Sequence, residues 1–129
     1  MKELNIGLFG LGTVGSGIFT VLQRARNCHA RISRICVRSL SKPRAVEVPE
    51  NILTDNPADI LSDPDIDLVV EVIDNAEASF AIVSEAMRRG KSVVSGNKAM
   101  IARHLPELIE LQRQTGTALL YDASACGSD

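Results

Sequence analysis

The sequence predicts an α/β fold, a doubly wound parallel sheet in a single domain over residues 1–129 with no substrate domain within it. Two observations carry that expectation. Short apolar runs alternate with amphipathic stretches at the spacing of β-α-β units, which need a parallel sheet and right-handed crossovers. A chain of 129 residues, 45% hydrophobic and 23% charged, has room for one compact core and not for two.

Leu4 to Phe9 is a nearly continuous apolar run ending in glycines, the pattern of a central strand buried on both faces. From Val14 to about Arg26, the residues Val14, Ile18, Val21, Leu22 and Ala25 recur at three- and four-residue spacing, marking a helix that lays this face on the sheet. Ile32 to Val37 is the second strand, followed by a polar loop over Arg38 to Arg44. Asn56-Pro57 offers a cap and a first-turn proline for a short helix over Ala58 to Leu61, stopped near Asp63-Pro64. Asp67 to Ile73 is β-branched and mostly apolar, another buried strand. Ala76 to Arg89 places Phe80, Val83, Ala86 and Met87 on one side, carries basic residues in its last turn, and meets Gly90 as a left-handed terminator. Lys91 to Ser95 supplies a strand, Pro106 to Gln114 a helix ended by Gly116, and Thr117 to Tyr121 a final strand, giving a sheet covered on both faces.

Composition excludes several classes. Fourteen basic against 16 acidic residues give a formal charge of -2, so the molecule as a whole has no strong pull toward nucleic acid or an anionic membrane. No stretch approaches the roughly 18 apolar residues of a membrane span. Cys28, Cys36 and Cys126 form no CxxC pair and are odd in number, which argues for a reducing, cytoplasmic setting. Neither His29 nor His104 lies near Cys126, so that thiol reads as a small packing residue and not a nucleophile.

Gly10-Leu11-Gly12-Thr13-Val14-Gly15 fits G-x-G-x-x-G between an apolar strand and an amphipathic helix, the dinucleotide-binding fingerprint of a Rossmann fold. Gly10 permits the turn, Gly12 opens the backbone to a diphosphate, Gly15 lets helix and strand approach, and the amides of Thr13 and Val14 open the helix toward the anion. An acidic residue is expected about 20 positions on, to accept the ribose hydroxyls of NAD. From Ser16 to Val46 there is no carboxylate, and Arg38 takes its place with Ser39 and Lys42 behind it, which suits the extra phosphate of NADP. Exposed charge-assisted bonds of this kind are worth about 1 to 3 kcal/mol together, roughly a ten- to hundredfold preference. Arg24, Arg26, Arg31 and Arg34 read as solvation of helix and strand ends.

Five segments in order resemble one family: residues 10–17, the Val-Arg-Ser-Leu-Ser-Lys-Pro-Arg run at 37–44, Asp-Ile-Asp-Leu-Val-Val-Glu at 65–71, Gly-Lys-Ser-Val-Val-Ser-Gly-Asn-Lys-Ala at 90–99, and Tyr-Asp-Ala-Ser-Ala-Cys-Gly at 121–127. Together they are similar to the amino-terminal NAD(P)-binding domain of homoserine dehydrogenase. The resemblance implies interconversion of L-homoserine and L-aspartate 4-semialdehyde with NADP preferred over NAD, in the pathway to threonine, methionine and isoleucine. It also implies a homodimeric parent whose substrate domain is missing here, so that the fragment binds cofactor without turning over. By the same resemblance Lys98 lies beside the nicotinamide as the catalytic amine, and Asp74, Asn75, Ser95 and Asn97 line the nicotinamide end. A monovalent cation site falls near Asp122, Ala125 and Gly127. The chain departs from the family at Asp74-Asn75 and Gly96, where glycines and alanine are usual, and at Asp122, where a glutamate is. Two other readings stand beside it: another Rossmann oxidoreductase, of the aspartate dehydrogenase or sugar type, and a stand-alone dinucleotide-sensing module.

Overall fold

The structure, a computed structural model, describes residues 3–25 and 29–122. Six parallel strands form one sheet: β1 (Leu4–Phe9), β2 (Ala30–Cys36), β3 (Leu53–Thr54), β4 (Leu68–Glu71), β5 (Ser92–Ser95) and β6 (Leu119–Tyr121). Their spatial order is β3-β2-β1-β4-β5-β6, the arrangement of a dinucleotide-binding sheet, with β1 central as its apolar run predicts. Four helices connect them: α1 (Thr13–Arg24), α2 (Ala58–Leu61), α3 (Ala76–Arg88) and α4 (Lys98–Thr115).

Alternation along β1 and β4 divides the core in two. Phe9 and Val69 join Ile60, Val83, Met87, Val93, Met100, Ile101 and Leu108 beneath α2, α3 and α4. Ile6, Leu8 and Val70 join Phe19 and Ile35 beneath α1. Gly7 allows this layering on the first side, since a Cβ there would stand 2.4 Å from Ile60 Cγ2.

Three expectations need correction, and a fourth feature had none. The face that α1 buries is Gly15, Ser16 and Phe19, with Ile18 and Leu22 partly covered; Val14 and Val21, placed by their spacing on that face, are 62% and 65% exposed. The glycine loop causes this. Drawing Gly15 against β1 rotates the helix so that the glycine-serine side, too small to register as hydrophobic, meets the sheet. Cover is also uneven: β6 leaves Leu120 63% exposed.

The third correction concerns α4, which begins at Lys98 and not at Pro106. Asn97 caps it through Met100 N (2.9 Å), and the helix bends at His104 (φ -120°, ψ 19°) because Pro106 has no N–H for the carbonyl four residues back. The proline thus marks the start of a second segment. Fourth, the 3₁₀ turn Glu50–Ile52 and the two-residue β3 went unforeseen; no period can be read from two residues. Gly90 and Gly116 terminate α3 and α4 with positive φ, as expected.

Candidate functional site

The strand registers end in one row: Thr54, Cys36, Phe9, Glu71, Ser95 and Tyr121 are successive partners across the sheet. The residue after each inner strand then donates to its neighbour's last carbonyl: Val37 to Thr54, Gly10 to Cys36, Val72 to Phe9 and Gly96 to Glu71, at 2.8–3.0 Å. Every described candidate residue lies in this row or just beyond it. The chain leaves β1 through α1 toward β2 and leaves β4 through α3 toward β5, so the crevice between the carboxyl ends of β1 and β4 is the switch point where ligands of such sheets sit.

Backbone geometry makes the glycine loop. Gly10 has φ +102°, and a Cβ there would come 3.0 Å from Val72 O; a Cβ on Gly15 would fall 2.2 Å from Gly10 O. No residue larger than glycine fits Gly15 without moving main chain. At Gly12 nothing lies within 4 Å of a built Cβ, and this residue begins α1 with no side-chain cap. The first amides of α1 therefore face open space with the helix dipole behind them, a fit for the diphosphate of a dinucleotide. Val72, which sequence reasoning passed over, is the hub: its side chain packs 3.2–3.3 Å from the Cβ positions of Gly10, Gly15 and Gly96.

The loop after β2 is exposed and basic. Arg38, Ser39 and Lys42 are open to solvent, Ser39 Oγ lies 3.2 Å from Ser41 Oγ, and Arg44 donates to the carbonyls of Ser39 (2.8 Å) and Leu40 (2.9 Å). Beneath it runs an open hollow of about 710 Å³ lined by Leu40, Lys42, Arg44, Val46, Glu47 and Leu53 among others. Arg31 and Arg34 are engaged elsewhere, Arg31 on Asn5 and Glu3 and Arg34 on Asn51 O and Asp59, where the sequence reads as solvation of strand ends only. At the end of β2 burial and then Asp55 and Asp59 push the Cys36 thiol up to about 11, so it stays protonated and un-nucleophilic.

The opposite end of the crevice is built from buried polar groups. Glu71 is fully buried and accepts from Ile73 N (2.7 Å) and Ser95 Oγ (2.6 Å). Asn97, 7% exposed, donates through Nδ2 to Ile73 O (2.7 Å) and through its amide to Ser95 Oγ (3.2 Å). Asn75 caps α3 by accepting from Ala78 N (2.9 Å), while Asp74 beside it is exposed. The side chains of Ser95 and Asn97 are thus engaged internally, and what they offer a ligand is backbone and the shape they impose. Lys98, first in α4, reaches out to within 3.9 Å of Asp122, both well exposed. Ala125 and Gly127, named with Asp122 for a cation, lie outside the described residues, as do Arg26, Cys28 and Cys126. Lys91 stands at the opposite, amino end of β5: its buried amine, whose pKa desolvation lowers, donates to the carbonyls of Asp63 and Ile66.

Among the described residues no cluster of three or more His, Cys, Asp or Glu could hold a metal, and no helix is long and apolar enough to cross a membrane.

The family model described as the NAD binding domain of homoserine dehydrogenase matches residues 10–122. The homoserine dehydrogenase of Bacillus subtilis is 35% identical over 98% of this chain and 31% of its own length. That of Synechocystis is 39% identical over 96% of this chain and 30% of its own. The S. aureus homoserine dehydrogenase structure at pH 6.0 superposes with a TM-score of 0.85 at 36% identity, covering 95% of this chain and 33% of that one. The chain therefore spans about a third of the length of the relatives it matches.

Proposed function

The chain belongs to the family of homoserine dehydrogenase NAD-binding domains, and from that membership we propose that it binds NADP, with NAD second, across the row of strand ends, to serve oxidation of L-homoserine to L-aspartate 4-semialdehyde or the reverse. The observation that carries the reading is the alignment of one crevice with three features: the glycine loop at β1, the basic loop after β2, and Lys98 after β5. In it the amides of Gly12, Thr13 and Val14 hold the diphosphate and Gly10 and Gly15 shape the turn. Arg38, Ser39 and Lys42 take the 2′-phosphate, while residues 72–75 and 95–98 border the nicotinamide.

The bound nicotinamide supplies the hydride acceptor. Loss of hydride from an alcohol carbon must be matched by loss of its hydroxyl proton, and a group within reach has to receive it. Lys98 is the group we assign to receive it, with Asp122 3.9 Å from its amine. Asp74 and Asn75 border the nicotinamide ribose as polar neighbours where the family has glycines. For the whole protein the reading extends to a cytoplasmic homodimer whose homoserine site lies in the region of the relatives that this chain does not span.

The test is calorimetric titration of the chain with NADPH and with NADH. Binding of both, tighter for NADPH, is expected, and no heat with either overturns the reading. Arg38→Ala should weaken NADPH roughly tenfold and leave NADH unchanged; equal losses would remove the phosphate assignment. In the whole protein Lys98→Ala should abolish most turnover at nearly unchanged cofactor affinity, and undiminished turnover would clear the lysine of proton transfer.

A further inference from the structure

Glu71 is the one fully buried acid among the described residues, and both of its partners are neutral donors. A polar side chain so placed has left water, so its position is accounted for by the bonds it makes. Strand cohesion does not explain it. The β4–β5 ladder runs through backbone bonds from Leu68–Ser92 to Glu71–Ser95 and is extended by Gly96 N to Glu71 O. The side chain adds one bond between the last residues of the two strands, from Ser95 Oγ, and one that reaches past them, from Ile73 N.

The bonds close a ring of four residues. Glu71 Oε2 holds Ile73 N, Ile73 O holds Asn97 Nδ2, Asn97 N reaches Ser95 Oγ, and Ser95 Oγ returns to Glu71 Oε1. One arc is the turn from β4 into α3 and the other is the turn from β5 into α4. Asn97 Oδ1 in turn caps Met100 N, which fixes where α4 starts and hence the position of its first residue, Lys98.

We propose that Glu71 is a positioning residue that locks turn 72–75 to turn 96–98 and thereby sets the geometry of the nicotinamide end of the crevice and the stance of Lys98. The inference rests on the cofactor reading above. A ring of this kind concentrates its effect on one end of the ligand: the glycine loop and the basic loop are held by other bonds, Gly10 N to Cys36 O and Arg44 to Ser39 and Leu40.

The chain is titrated with NADPH and with adenosine 2′,5′-bisphosphate, which keeps the adenosine and its 2′-phosphate but lacks the nicotinamide. Glu71→Ala and Ser95→Ala should each weaken NADPH about tenfold and leave the bisphosphate within about twofold. Glu71→Gln keeps an acceptor for Ile73 N and a group for the Ser95 hydroxyl, and should recover NADPH affinity to within about threefold of the parent. In the ligand-free chain, hydrogen exchange at the Ile73 and Asn97 amides should quicken in the alanine variants while the Gly10 amide keeps its protection. Equal loss of both ligands, or no loss of either, would reduce Glu71 to a fold brace and overturn the proposal. Should Glu71→Ala not fold, Ser95→Ala, which removes one hydroxyl, decides the matter alone. An unmodified chain that binds neither ligand refutes the cofactor reading itself, an outcome visible before any substitution is made.

Discussion

The two ends of the crevice are made by opposite means. After β2 stands an exposed loop whose long cations, Arg38 and Lys42, project into water, with Arg44 bracing the loop carbonyls. At the ends of β4 and β5 stand Glu71, Ser95 and Asn97, all buried, with Ser95 bonded to both of the others. Charge on a solvated loop gives discrimination that salt screens and single substitutions erode by modest steps. A closed polar ring gives geometry instead, insensitive to salt and intolerant of any missing member. Choice between two cofactors differing by one phosphate needs only the first. Holding a reacting ring against a proton acceptor needs the second, since small misplacements there cost rate steeply.

The substitution with the largest expected effect strikes the hinge between the two ends. Gly15→Ala puts a Cβ 2.2 Å from Gly10 O, so the main chain of the loop must move, and with it the amides proposed to hold the diphosphate. Binding of NADH and NADPH alike should fall by about a hundredfold or more, equivalent to roughly 3 kcal/mol, and the bisphosphate probe should suffer with them. A loss confined to one coenzyme would mean that the glycine loop serves one end of the crevice alone.

A smaller effect separates the ends. Raising ionic strength from about 0.1 M to about 1 M shortens the screening length from about 10 Å to about 3 Å, which should shrink the preference for NADPH over NADH several-fold. Arg44→Ala, by freeing the carbonyls of Ser39 and Leu40, should weaken NADPH by a factor of about three to ten and leave NADH alone, since the loss is one of preorganisation around a single phosphate. Titrations of both coenzymes at the two salt levels check each claim. A preference that survives high salt undiminished would place its origin in shape and not in charge.

What the sequence made legible follows the same division. The glycine loop could be read because its conformation excludes other residues: φ +102° at Gly10 and the contact at Gly15 leave a visible mark in composition. The basic loop could be read from a missing carboxylate. Runs such as Leu-Val-Val-Glu announced their strand, but nothing in the letters said that Glu71 would turn inward and bind Ser95. Asn75 and Asn97 look alike as ligands or as helix caps, and reading Asn97 as a ligand hid the true start of α4 and so the placement of Lys98 at its head. Val14 and Val21 misled for the converse reason, since their spacing is helical but glycine and serine, not valine, face the sheet.

The smallest expected effect concerns how rigidly the buried end is held. α3 and α4 are capped by Asn75 and Asn97, and they are joined where His104 stacks on Phe80, with ring centroids 3.9 Å apart. Its Nε2 meets Glu77 at 3.0 Å and its Nδ1 meets Glu107 at 3.2 Å; Arg103 also reaches Glu77 at 2.9 Å. Hydrogen bonds to Glu77 and Glu107 raise the His104 pKa above its ordinary 6.5, and bonds to Arg103 and His104 lower that of Glu77 below 4.5. Glu107 is likewise lowered, by His104 first. A raised histidine contributes stability that is whole below about 6.5 and is lost as pH climbs through the folded-state value; lowered carboxylates contribute above about 4.5 and lose it as pH falls through theirs. The latch is therefore tightest between those limits, and melting temperature should decline as pH rises beyond them. His104→Gln should flatten that alkaline decline and leave the NADPH preference proposed for the basic loop untouched. Melting curves of the two proteins that run parallel from about pH 5 to about pH 8.5 would mean that the imidazolium contributes nothing to holding α3 against α4. The rigidity of the nicotinamide end would then have to come from the Glu71 ring and the apolar core alone.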